Sequence, residues 1–289
     1  MWKPSNNAIR VSENDKLRSN FVRHFVQSEE ILCSHNLKLT NNIPRIIVQF
    51  WDDEAIPNDV QECIETWRQL KSSGVEHFLF DRDTARRFIE ENLPTDNVKA
   101  FDDCYHPAMK SDYFRLCFIS CIGGFYVDVD DVYCGTDVDN LFTDQRVKLQ
   151  PLCFDIDTNE MVDPGRFIID GEFSESWIFY FNNNPIIAPP NNPIIEYALL
   201  RSTRLILECD EYDFPEIQST TGPGNMSASV VACLLDYQPQ IQENCLSSLS
   251  DWQTHAQTIW GLSYRNDERN WRLSNRKKYK PVKLIQEKA

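Results

Sequence analysis

The stretch from Tyr113 to Asp131 restricts the possible fold more than any other part of the chain. Its apolar run, up to Val127, is the longest in the sequence, yet it falls short of the ~20 residues a membrane span needs and contains Arg115. Gly123-Gly124 splits the run in two. Before the glycines, about Ala108 to Ile122, the pattern predicts a helix that is apolar almost all round and therefore buried. After them, Phe125-Tyr126-Val127 reads as a buried strand that runs directly into Asp128-Val129-Asp130-Asp131. The glycine pair permits a tight reversal that returns the strand beside the helix. A buried helix, a reversal and a strand ending in carboxylates point to an α/β sheet, where ligands bind beyond the carboxyl ends of strands.

The flanking sequence fits that class. Residues 43–50 read as a β-branched strand with Pro44 at its start. Pro57-Asn58-Asp59 opens a helix whose apolar face is Val60, Cys63, Ile64, Trp67 and Leu70, and Gly74 stops it. Phe78-Leu79-Phe80 is a second strand, and Asp83 to Leu93 a second helix ended by Pro94. Strand, helix, strand, helix in that order predicts parallel pairing. Further on, Trp177 to Asn182 reads as a strand ending in an asparagine run, and 193–207 and 227–235 as helices around a loop at 220–225. Residues 1–40 read as a helical N-terminal extension, 41–264 as one α/β domain, and 265–289 as a basic C-terminal segment.

Composition excludes several functions. With nine glycines in 289 residues, neither a G-x-G-x-x-G nor a G-x-x-x-x-G-K-[ST] phosphate loop is present. The net charge of −15 argues against nucleic acid as a partner, because phosphate backbones need clustered Lys and Arg. The charge is uneven, however. Residues 265–289 hold nine Lys and Arg against three Asp and Glu, a net of +6. The rest holds 20 against 41, a net of −21. The basic end is either a solvated tail or a lid over something anionic. Ten cysteines without C-x-x-C spacing, mostly in apolar runs, read as reduced and buried. No apolar signal-peptide core opens the chain, so the expected setting is cytoplasmic, or a host cytosol reached as an effector.

Clustered carboxylates after an apolar strand repel one another and call for a cation. Period-2 alternation sets Asp128 and Asp130 on one side, a pair that suits Mg²⁺ or Mn²⁺ carrying substrate phosphates. A solvated acidic turn is the plain alternative. On the preceding helix Ser111, Asp112 and Arg115 share one face. They form either a structural ion pair in the core or a polar face aimed at a ligand beside the acidic strand end.

The block Ala108-Met109-Lys110-Ser111-Asp112-Tyr113-Phe114-Arg115, with Gly123-Gly124-Phe125-Tyr126-Val127-Asp128-Val129-Asp130, resembles that of the DXD sugar-binding-region glycosyltransferases. That family includes Och1-like enzymes of family 32 and the catalytic domains of large clostridial glucosylating toxins. Residues 43–51 are similar to its opening segment, with Val48 in place of the usual His. Asn183-Asn184 through Asn192-Pro193, Thr221-Gly222-Pro223 and His255 to Trp260 are similar to later segments, although Ile259 stands where Och1-like members have Ser. The resemblance implies a GT-A fold, a nucleotide-sugar donor (UDP-sugar favoured, GDP-sugar possible), Mn²⁺ or Mg²⁺, and retaining transfer of a hexosyl or N-acetylhexosaminyl group to a protein or glycan. It implies Phe50 and Trp51 at the base, with Trp51 stacked on it. Ser111, Asp112, Arg115, Tyr126, Asp128 and Asn184 would line the donor site. Asp130 would ligate the metal with His255 and Thr258, and Trp260 would meet the departing diphosphate. The competing expectations are a haloacid-dehalogenase-like phosphatase with Asp128 as nucleophile, and an inactive GT-A binding module.

Overall fold

The computed structural model describes residues 3–32, 43–209, 214–236, 245–275 and 277. Two N-terminal helices, α1 (Asn6–Ser12) and α2 (Asp15–Leu32), lead the chain. They are fastened to the body: Val22 and Val26 enter the main core, and Glu13 pairs with the buried Arg201 at 2.7 Å. The part of the expected extension at residues 33–40 lies outside the described residues.

The strand–helix–strand–helix order follows as expected: β1 (Ile46–Phe50), α3 (Asn58–Arg68), β2 (Glu76–Phe80) and α4 (Arg82–Asn92). Asp81 and Thr84 cap α4 reciprocally, which satisfies donors at its first turn. Gly74, at φ 75°, ends the turn after α3. A helix that the sequence reading missed, α5 (Thr95–Asp103), precedes the buried α6 (Pro107–Cys121). The glycine reversal leads to β3 (Gly124–Tyr126), and a turn then joins it to β4 (Asp131–Tyr133). Gly123 and Gly124 adopt φ of 74° and 107°, and a Cβ on Gly124 would lie 2.8 Å from the Ile46 carbonyl oxygen. The reversal thus requires glycine both for conformation and for the close approach of β1.

The second half comprises β5 (Val147–Asp155), β6 (Glu160–Met161), β7 (Trp177–Ala188), α7 (Pro193–Leu207), α8 (Ile217–Thr220), α9 (Pro223–Asp236) and β8 (Leu246–Ser248). Last come α10 (Trp252–His255), β9 (Ala256–Thr258) and α11 (Trp271–Ser274). The main sheet runs β2-β1-β3-β7-β5-β6, with β8 on β5. The first three strands are parallel, as the sequence predicts, whereas β7 enters antiparallel to both β3 and β5. The sheet is therefore mixed. Strand β7 also continues through the asparagine run at which it was expected to stop, because Asn182, Asn183 and Asn184 find polar partners.

Alternation along the central strands separates two cores. Val48, Tyr126, Ile186 and Ala188 face the layer of α4, α6, α7 and α9, while Ile47, Phe125, Val127 and Ile187 face Trp67, Leu70 and Trp252. The carboxyl ends of β1 and β3 open toward a third, small cluster of Trp51, Val60, Ile64, Val129 and Leu262. The acidic residues sit there.

Candidate active site

Arg115 projects from α6 toward the end of β3 and organises the acidic turn. Its side chain is 4 % exposed, and Nη2 pairs with Asp128 at 2.8 Å and Asp112 at 3.0 Å. Nη1 donates to the Asn183 carbonyl at 2.6 Å, and the guanidinium lies 4.3 Å from the Tyr126 ring centroid. The Tyr126 hydroxyl donates to Asp128 at 3.1 Å and shares a bond of 2.7 Å with Ser111. Asp112 accepts from Asn183 at 2.8 Å and from Thr221 at 3.2 Å. The Ser111, Asp112 and Arg115 face is thus an internal ion pair, one of the two readings left open, and it abuts the acidic strand end.

Asn184 ties the turn from the other side. Its carboxamide accepts from the Asp128 backbone N–H at 2.9 Å and donates to Asp131 at 2.8 Å. Gln49, fully buried on β1, donates to the Asp128 carbonyl at 3.2 Å and receives a bond from His77 at 2.8 Å. That bond requires a proton on Nε2, and burial moves the imidazole down to about 4, so it is the neutral Nε2–H form that donates at neutral pH.

The three carboxylates differ. Strand alternation does not hold past Asp128, because Val129-Asp130 form a turn, so Asp128 and Asp130 reach the site from successive backbone directions. Asp128 faces Arg115, and burial, opposed by Arg115 and reinforced by Asp130, lifts it to about 6. Asp131 is fully buried, accepts from Thr258 at 2.5 Å, and is lifted to about 7 by burial and by Asp130. Asp130 accepts through Oδ2 from the Tyr264 hydroxyl at 2.6 Å and from Arg265.

Arg265 opens the basic C-terminal segment and Tyr264 directly precedes it; the described part of the segment crosses the site. Ser263 bonds Asp59 at the start of α3 at 2.6 Å. His106, the N-cap of α6, holds the Glu268 carbonyl at 2.9 Å and Ser274 at 2.7 Å. Trp51 is only 8 % exposed, with Tyr264 edge-on at 5.4 Å and the Arg269 guanidinium 5.5 Å from its ring centroid. A base can stack on Trp51 only if this segment yields. Trp260 is 64 % exposed and carries Arg265 and Arg272 at 4.5 and 5.3 Å from its ring centroid.

Two expected assignments need correction. The Phe50 side chain packs on Phe114 in the core and presents no ring to a ligand, because β1 is a central strand covered on both faces. His255 lies away from the acidic turn: β9 pairs antiparallel with β4, so Thr258 stands opposite Asp131 while His255 falls beyond Tyr133. Its Nδ1 meets Thr136 at 2.8 Å and its ring packs near Trp252. Thr258 does reach the site, where its hydroxyl donates to Asp131 at 2.5 Å and keeps its oxygen lone pairs. The sequence reading also passed over Asn183, Thr221 and Tyr264 as site residues. The asparagine run and the Thr221-Gly222-Pro223 loop were the available signals for the first two.

Among the described residues no three His, Cys, Asp or Glu side chains gather into a metal cage. Asp130 nevertheless suits Mg²⁺ or Mn²⁺. Such ions are often held by one or two carboxylates plus substrate phosphates, and both of its protein bonds go to Oδ2, which leaves Oδ1 for a cation.

With this geometry in hand, comparison with known proteins becomes informative. Residues 57–148 match the family model of glycosyltransferase sugar-binding regions containing a DXD motif. This region spans α3 through the acidic turn to the start of β5 and includes Asp128-Val129-Asp130. An uncharacterized glycosyltransferase of Acanthamoeba polyphaga mimivirus is 29 % identical over 92 residues, 31 % of this chain and 36 % of that relative's length. The PaToxG glycosyltransferase aligns over 92 % of this chain and 94 % of its own, at 13 % identity and a TM-score of 0.44. At that score the likeness assigns nothing to individual residues. No helix among the described residues is long and apolar enough to cross a membrane.

Proposed function

We propose that the chain is a metal-dependent glycosyltransferase that binds a nucleotide-sugar at the carboxyl end of β3 and transfers its sugar, with retention, to a protein side chain or glycan. The observation that carries this reading is the pairing of Arg115 with Asp112 and Asp128 directly beside Asp130, inside a matched DXD sugar-binding region.

In this mechanism Arg115 fixes both carboxylates. Asp112, held by Asn183 and Thr221, keeps lone-pair capacity for sugar hydroxyls, since an ionised carboxylate accepts about four hydrogen bonds. Asp130, with Asp128 beside it, would hold a divalent ion, which offsets the charge building on the departing diphosphate. Trp260 offers its exposed indole N–H to the same leaving group. The segment crossing Trp51 and Asp130 limits the access of water, so hydrolysis of the donor is slowed but still measurable without an acceptor. No residue is assigned as general base, in keeping with a retaining route through the donor's own phosphate oxygen.

Thermal unfolding with UDP or GDP, with and without Mn²⁺, checks the binding step. One diphosphate should stabilise the protein only when the ion is present, by about 2.7 kcal/mol at ~100 times Kd. No stabilisation by either nucleotide under any metal condition would overturn the reading.

A further inference from the structure

Arg265 stands where a cation is wanted, and one of its own donors is unused. Its guanidinium bonds Asp130 through Nη2, rests 4.5 Å from the Trp260 ring centroid and is 12 % exposed at the side chain. Its Nε is buried and has no hydrogen-bond partner among the described residues. A buried, unpaired guanidinium N–H is costly and points to an acceptor. The acceptor must reach a spot bounded by the exposed indole of Trp260, the acidic turn and Tyr264. Phosphate oxygen fits, because guanidinium matches it with two parallel N–H donors and stacks on aromatic rings at the same time.

The ion pair with Asp130 has a second consequence. Asp130 is the carboxylate best placed for a divalent ion, and a guanidinium on Oδ2 competes with that ion electrostatically and for space. Tyr264 bonds the same oxygen, so Asp130 is held in one orientation before any ion arrives.

We propose that Arg265 is a donor-diphosphate ligand that also occupies the Asp130 carboxylate until a divalent ion displaces it onto the phosphates. This rests on the glycosyltransferase reading for its ligand, but the competition at Asp130 does not. Arg265 would then couple the two arrivals: the ion frees the arginine, and the freed arginine binds the nucleotide. Metal and diphosphate would each bind weakly alone and well together.

The two claims predict opposite signs for one substitution. In Arg265→Gln, Mn²⁺ alone, titrated by calorimetry or by loss of its free-ion electron-spin signal, should bind at least about tenfold more tightly than in wild type, the low end for losing a charged hydrogen bond. In the same variant UDP or GDP at saturating Mn²⁺ should bind about tenfold more weakly. A simple folding defect would weaken both, and Arg265→Lys, which restores the charge without the fork, should return Mn²⁺ affinity toward wild type but not nucleotide affinity. Adding Asp130→Asn to Arg265→Gln should abolish the gained Mn²⁺ affinity. The proposal is overturned if Arg265→Gln leaves Mn²⁺ affinity unchanged or lower, or if the double variant keeps the gain. Failure of every nucleotide to bind wild type would instead remove the glycosyltransferase reading and the phosphate half of the proposal, while the Mn²⁺ comparison still decides the competition.

Discussion

Replacing Arg115 by methionine removes a cation but keeps most of the side chain's bulk, so its effect isolates charge. Arg115 is 4 % exposed at the side chain, and its partners Asp112 and Asp128 are 12 % and 31 % exposed. Breaking a buried pair costs about 3–5 kcal/mol, because the partner stays buried and charged. Two carboxylates are orphaned here, but Asp128 is partly wet and can relax toward water, so about 3 kcal/mol is the working figure. For a chain of this size that lowers Tm by roughly 6–12 °C. The loss should also depend on pH. Asp128 already stands at about 6, raised by burial, and Asp112 is raised by burial as well. Without Arg115 both move higher. A carboxylate with a raised folded pKa favours the fold below its unfolded value and loses that contribution as pH climbs through the folded one. The deficit of the variant should therefore be smaller at pH 5 than at pH 8 in urea unfolding. A loss under about 1 kcal/mol, or one of equal size at both pH values, would refute the reasoning that Arg115 neutralises buried carboxylates.

Other perturbations follow from the same geometry. Gly124→Ala places a Cβ 2.8 Å from the Ile46 carbonyl at φ 107°, so it should cost about 1–3 kcal/mol or more in backbone strain, and wild-type Tm would contradict that. Thr258→Val removes the donor to buried Asp131 and should cost about 1–3 kcal/mol. An unchanged unfolding midpoint would mean that water replaces the hydroxyl. Asp131→Asn should gain on wild type as pH rises through 7, by on the order of 3 kcal/mol between pH 5 and 8, because Asp131 holds a proton in the fold up to about 7. A difference independent of pH would show that Asp131 ionises freely.

The sequence was most informative where one local rule governed a whole element. Helix α7 begins and ends where Asn192-Pro193 and the apolar period set it, and α6 was legible because apolar residues surround it on nearly every side and ten of its fifteen residues are buried. Strand β5 escaped notice because Lys148, Gln150 and Pro151 interrupt its apolar pattern. Lys148 is tolerated there by its pair with Asp144 at 2.7 Å, a contact no period reveals. At the site, Ser111, Asp112, Arg115, Tyr126 and Asp128 converge as the motif implied, since they lie on adjacent pieces of chain joined by one reversal. Contributions from distant segments were harder to read. The offset between β4 and β9 decides that Thr258 faces the acids and His255 does not, and one residue of slip would change both. Likewise the C-terminal charge was visible as a count, but only the fold brings Tyr264 and Arg265 to Asp130.

The central claim is that the acidic turn serves a nucleotide-sugar. Its most direct measurement is nucleotide release from a panel of UDP- and GDP-sugars with Mn²⁺, water acting as acceptor, in wild type and in Asp130→Ala at matched folding. Wild type should release nucleotide from at least one donor, and Asp130→Ala, assayed well below its own Tm, which loss of the buried pair with Arg265 lowers, should fall to background. Release that persists near the wild-type rate in Asp130→Ala, or no release from any donor by the wild-type protein, would contradict the account.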